Sequence, residues 1–138
     1  RTYYYYVGAG VHLDSKGSIF CCGWKSSATY QNQNTANQKL NTGINVSVIN
    51  NTKLIAPKNS LVVYADFFKG YGNMIILDLS NGYHLILSGL SNIYCKTGDW
   101  LEKDMILGDI NNSNNNNLYM EFRFKGKTIS PSKWAKIN

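Results

Sequence analysis

Histidine is nearly absent from this chain: among 138 residues only His12 and His84 occur. Any site that needs more than two imidazoles is therefore excluded. Cysteine is sparse as well, and Cys21, Cys22 and Cys95 contain no CxxC pair, which excludes the usual zinc-ribbon and thioredoxin spacings. Adjacent Cys21 and Cys22 do not readily bridge each other. A bond from either one to Cys95 stays open, so cysteine usage leaves the compartment undetermined. No window approaches the roughly 18 apolar residues that a membrane-spanning helix needs. The opening "RTYYYYVGAG" lacks a basic segment followed by an apolar core; no signal peptide is expected in it, and its abrupt start suggests an excised or processed fragment.

What is present describes a folded domain. Hydrophobic residues make up 43% and aromatics 13%, enough apolar surface for one real core in a chain too short for two ordinary domains. Fourteen Lys+Arg against eight Asp+Glu give a formal charge of +6. With no long basic run, that charge is either a solvated surface or a match to an anionic partner, a wall polymer or an acidic protein face. No nucleic-acid motif accompanies it, and no nucleic-acid partner is expected.

The pattern along the chain is that of short strands. "YYYYVGAGVHL" and "GSIFCCGW" are candidate strands, whereas "KSSATYQNQNTANQKLNTG" is polar and Asn/Gln-rich and reads as loop. From Ile44 onward, "INVSVI", "SLVVYADF" and "NMIILDL" have strand length and composition. Asn81-Gly82 separates two apolar runs, the signal of a tight hairpin. "DWLEKDMIL" is read as strand–turn–strand, Leu118–Phe124 as the last strand, Lys125-Gly126 as a turn, and Pro131 as the end of the final element. The expectation is an all-β domain with long polar loops and a compact antiparallel core from residue 44 to about 130. "NNSNNNN" at 111–117 reads as a tolerant loop.

With the strands placed, "VVYADFFKGYGN", "LYMEFRFKGK" and "SPSKW", in this order, resemble the lysostaphin-type (LytM) metallopeptidase domain, closest to EnvC-type murein hydrolase activators. The resemblance spans roughly residues 41 to 134. It implies a duplicated hybrid-motif sheet over 41–138, with 1–40 a poorly matched extension packed on it. "KTGDWLEKDMILGDI" alone also resembles lipoyl-type barrels, but without their hairpin-tip lysine.

Active members of the resembled family hold zinc with a His and an Asp on one strand and a His on the last, helped by two further histidines. Carried over, these positions are Asn41, Asn45 and Tyr119, with Asn117 and Gly89 for the assisting pair. Zinc takes imidazole, thiolate or carboxylate and needs an open fourth position. Neutral amides, a phenol and a glycine offer none of those donors, so the resemblance implies no catalysis, no metal and no cofactor. A site rebuilt from Cys21, Cys22 and His12 is the less favoured option.

In EnvC-type activators the emptied groove binds a zinc-dependent N-acetylmuramoyl-L-alanine amidase and relieves its autoinhibition during cell division. That implies an amidase partner, with peptidoglycan as a further candidate, and a periplasmic or envelope location. The implied groove residues are Tyr71, Tyr119 and Arg123, together with Thr42 and Leu87, where the activators usually carry a lysine and an aromatic. Glu121 is expected to act as a structural acceptor rather than as an acid, having no partner acid, base or metal. His84, within an alternating run, is expected at or near the surface of a strand.

Overall fold

The computed structural model describes residues 3–6, 23–26, 36–39, 43–47, 51–111 and 117–130. Every element among them is a strand. In chain order these are β1 (Tyr3–Tyr6), β2 (Gly23–Ser26), β3 (Ala36–Lys39), β4 (Ile44–Ser47), β5 (Thr52–Ile55), β6 (Ser60–Phe68), β7 (Gly72–Ser80), β8 (Tyr83–Leu90), β9 (Asn92–Ile93), β10 (Trp100–Leu101), β11 (Ile106–Ile110), β12 (Asn117–Phe124) and β13 (Lys127–Thr128).

Two sheets result. The larger runs β10-β6-β7-β8-β12-β4-β3 with β13 appended to β12, and all of its pairs are antiparallel. The smaller runs β2-β1-β5-β11-β9 and contains one parallel pair, β1 with β5. The all-β antiparallel expectation holds, with that pair as an addition. The β7–β8 hairpin turns at Asn81-Gly82 with φ of 57° and 88°, the left-handed pair that a tight primed turn demands. Lys125-Gly126 likewise joins β12 to β13. "DWLEKDMIL" forms β10, a turn and the start of β11, as expected.

The polar stretch before residue 44 departs from its reading as loop. Ala36–Lys39 is a strand, paired with β4 in a register that shifts between Ala36 and Gln38. An edge strand is held by backbone hydrogen bonds and carries no apolar alternation that a sequence reading could detect. Pro131 lies outside the described residues.

The core lies where the two sheets meet. Leu54, Leu107 and Ile110 from the smaller sheet join Ile75, Leu77, Leu85, Leu87, Leu118, Met120 and Phe122 from the larger one, all of them buried. Alternation along β12 sends Leu118, Met120 and Phe122 into this core, leaving Tyr119, Glu121 and Arg123 on the opposite face. Truncating a fully buried phenylalanine such as Phe122 costs about 3–5 kcal/mol in comparable cores. The strand that carries the candidate site is therefore anchored from behind.

Candidate functional site

The outward face of the larger sheet is apolar where alternation would ordinarily make it polar. Met74 and Ile76 on β7 and Ile86 on β8 point away from the core set Ile75, Leu77, Leu85 and Leu87, and Ile76 pairs directly with Ile86. They lie beneath a groove of about 430 Å³, also lined by Val63, Tyr64, Phe68, Tyr71, Glu121 and Arg123. A register shift between Val62 and Tyr64 on β6 adds an extra residue there, and Val63 joins the lining. Phe68 and Tyr71 meet edge-to-face at 5.7 Å, and the Tyr71 amide closes the turn on the Phe68 carbonyl at 2.9 Å. Tyr71 remains 49% exposed, so the turn packing leaves its ring available at the rim.

From β12, Glu121 and Arg123 line the groove; Tyr119, on the same face of the strand, is not among the lining residues but is hydrogen-bonded to Glu121. The Tyr119 hydroxyl donates to Glu121 Oε1 at 2.6 Å, and Arg123 Nε donates to Glu121 Oε2 at 2.6 Å. Glu121 is 4% exposed, and a buried carboxylate is tolerated only when paired and hydrogen-bonded. This is the acceptor role expected of it.

The positions assigned to the metal and its helpers also gather. Asn45 on β4 stands opposite Tyr119 on β12, which in turn stands opposite Ser88 on β8. Gly89 sits beside Asn117: a Cβ there would lie 2.5 Å from the Asn117 carbonyl oxygen. Gly43 lies under the Tyr119 ring, since a Cβ on it would be 2.8 Å from the phenol's Cζ and hydroxyl. Asn45 brings a neutral amide, Gly89 no side chain, and the Tyr119 hydroxyl is committed to Glu121. These donors do not fit a zinc ion. Among the described residues no three His, Cys, Asp or Glu side chains cluster as a metal site. Asn41, Thr42, His12, Cys21 and Cys22 lie outside the described residues.

Leu87 requires a correction. It is fully buried in the core, opposite Ile75 on β7 and Met120 on β12, and does not line the groove. Strand parity puts it on the inner face, whatever residue type a relative carries there. His84, opposite Arg123 and Asp78, is half-buried, as expected. The residues that the sequence reading missed are the groove floor itself: Val63, Tyr64, Phe68, Met74, Ile76 and Ile86. Their signal was "NMIIL" and "YHLIL", runs apolar on both faces of strands that have only one core to face.

A second polar cluster lies on the smaller sheet. The buried Asp109 accepts from the Tyr94 hydroxyl, from Asn92 Nδ2 at 2.9 Å, and pairs with Lys53 Nζ at 3.5 Å. Burial pushes the Asp109 carboxyl up, but the hydrogen bonds from Tyr94 and Asn92 and the Lys53 charge more than reverse this, leaving it below the usual value. Lys53 is raised, chiefly by its hydrogen bond to Tyr94. Every member is partnered within the cluster, which ties β5, β9 and β11 together. Cys95 is a buried free thiol whose pKa is raised by that burial and by Asp99.

The larger sheet therefore carries an apolar groove on its outward face, and the Asn45–Tyr119 pair and the Gly89–Asn117 contact lie on the strands β4, β8 and β12. The profile of peptidase family M23 matches residues 39–131. The chain belongs to peptidase family M23. Among curated proteins, an uncharacterized protein of Neisseria meningitidis serogroup B is 31% identical over 84 residues, covering 59% of this chain but only 14% of that protein. The chain thus spans a small part of that relative. The catalytic domain of the antimicrobial peptidase lysostaphin from Staphylococcus simulans superposes with a TM-score of 0.56 at 20% identity, covering 66% of this chain and 75% of that one. A chain of the SpoIIIAH–SpoIIQ complex gives 0.58 at 18% identity, covering 91% and 97%. At such identities these two matches establish the fold.

Proposed function

We propose that this domain is a non-catalytic, degenerate M23 domain. On this reading it works at the cell envelope, in the periplasm, by binding a zinc-dependent N-acetylmuramoyl-L-alanine amidase and activating it in cell-wall splitting at division. The observation that carries the reading is the Asn45–Tyr119 pair. Two positions that would hold a metal carry an amide and a phenol, and the phenol is tied into the Glu121–Arg123 chain that walls the groove. Chemistry at that point has been exchanged for a fixed binding surface.

The groove supports a docking role. Its floor is apolar and its rim bears an exposed Tyr71 and the half-exposed Arg123, the residue types most often found as interface anchors. Activation by binding needs only that the domain prefer the amidase's open state, and a few kcal/mol of preference moves such an equilibrium substantially. The departure at Thr42, the core position of Leu87 and the absence of Tyr119 from the lining leave Tyr71 and Arg123 as the anchors of this reading, with Tyr119 supporting them through Glu121.

Isothermal titration calorimetry of the domain against a septal amidase tests the reading. Saturable binding is expected, weakened about tenfold or more by Tyr71→Ala, a side chain whose removal leaves the core intact. A peptidoglycan-binding module would instead bind purified sacculi and show no binding to the amidase. A working zinc endopeptidase would contain stoichiometric zinc and cleave the wall in a chelator-sensitive way. Either result would overturn the reading.

A further inference from the structure

We propose that Glu121 is a positioning residue that holds the Arg123 guanidinium as a carboxylate receptor, and that the groove's occupant is a protein segment carrying an acidic side chain among apolar ones. The inference rests on the reading of the groove as a protein-docking surface and names the chemistry of what docks there.

The geometry is specific. Both carboxylate oxygens of Glu121 are engaged, Oε1 by the Tyr119 hydroxyl and Oε2 by Arg123 Nε. The acid is buried while the arginine side chain stays 43% exposed. A guanidinium is a planar fork, and a bond through Nε leaves its outer Nη edge directed away from the acceptor. Among the described residues no second acceptor meets it. Glu121 therefore acts as a mount: it fixes the plane of the fork at the groove wall without occupying the donors that a ligand would use.

The surroundings select the ligand. Among the described residues, Glu121 and Arg123 are the only charged groups lining the groove, and its floor is Met74, Ile76 and Ile86. An anion that enters meets an oriented donor edge with apolar surface beside it, where charge-assisted bidentate bonds are strongest. The formal charge of +6 favours approach of an acidic segment. Phosphate or a bare carboxylate would satisfy the fork but leave the floor uncovered. A polypeptide with leucine-like residues flanking an aspartate or glutamate satisfies both.

The test uses a library of random twelve-residue peptides displayed on phage, selected on the domain, with each recovered peptide compared with a twin carrying glutamine or asparagine in place of its acid. Affinities are read by fluorescence anisotropy. The expected result is enrichment of acidic residues flanked by apolar ones, and an acid-over-amide preference of about tenfold or more. That preference should collapse towards one in both Glu121→Gln and Arg123→Lys, while the affinity for the amide twin stays the same. Lys125→Gln, which removes an exposed charge outside the groove, should leave it unchanged. Arg123→Lys keeps the charge at a half-exposed site, so the test holds even if Glu121→Gln unfolds.

A preference that survives both substitutions, or that falls equally in Lys125→Gln, would reduce it to general basic attraction and overturn the proposal. Selection of purely apolar peptides, or of none, would also overturn it. So would Arg123-dependent binding of purified sacculi without peptide binding, which would assign the receptor to the wall polymer. An amidase that fails to bind while acidic peptides retain the Arg123-dependent preference would overturn the amidase reading and leave the receptor standing.

Discussion

Gly43 lies flat beneath the phenol ring of Tyr119. A methyl group at Gly43 would stand 2.8 Å from the ring's Cζ and 2.3 Å from the Met120 carbonyl oxygen, so glycine here is what lets Tyr119 reach Glu121. Gly43→Ala is expected to destabilise the domain by about 1–3 kcal/mol through overpacking, read as a lowered urea midpoint. The same substitution should displace Tyr119 and weaken the binding proposed for the amidase. An unchanged midpoint would mean that both the ring and the β12 backbone at Met120 shift aside without cost.

Placing histidines and an aspartate at the positions assigned from the resemblance should not create a peptidase. Gly89 has φ of +96°, and a side chain there would meet the Asn117 carbonyl oxygen at 2.5 Å. Gly89→His should therefore cost about 1–3 kcal/mol in backbone strain. Combined with Asn41→His, Asn45→Asp, Asn117→His and Tyr119→His, which supply every assigned donor, it should still release nothing from labelled sacculi in the presence of zinc. Chelator-sensitive release by the five-fold variant would show that the scaffold offers catalytic geometry.

The Asp109 cluster sets an acid limit on stability. Because its carboxyl is held below the ordinary value, the stabilisation it supplies is fully present above the unfolded value of about 3.9. It is lost as pH falls through the lower folded value. Asp109→Asn should cost about 1–3 kcal/mol at neutral pH, the range for losing charged hydrogen bonds, and should flatten the stability profile below about pH 4. Equal acid slopes in wild type and variant would remove Asp109 from that account.

Cys95 should be chemically silent in the folded protein. It is buried, and its thiol pKa is pushed up, so little thiolate is present at neutral pH. In a Cys21→Ser, Cys22→Ser background, iodoacetamide should label Cys95 only after denaturant is added. Rapid labelling of the native protein would place the thiol at the surface.

Where local chemistry decided the structure, the sequence could be read directly. Asn81-Gly82 located the β7–β8 hairpin, and Leu118–Phe124 was legible as a strand from its composition. Where tertiary pairing decided it, the reading failed. Ala36–Lys39 is a strand because β4 offers it backbone partners, and nothing in "ANQK" announces this. Leu87 was assigned to the groove from the residue type at an equivalent position, whereas strand parity sends it to the core beside Leu85. The floor of Met74, Ile76 and Ile86 became a groove only once alternation had been fixed by the core on the other face. The Tyr119–Glu121–Arg123 chain follows from the same parity, with residues two apart on one strand sharing a face.

The most direct test of the central claim is dye release from labelled sacculi by the domain alone, by a septal amidase alone, and by the two together. The account predicts that the domain alone releases nothing and the amidase alone little. The mixture should release several-fold more, with the gain reduced by Tyr71→Ala and Arg123→Ala. Release by the domain alone that a chelator abolishes would contradict it, and so would a mixture no faster than the amidase by itself.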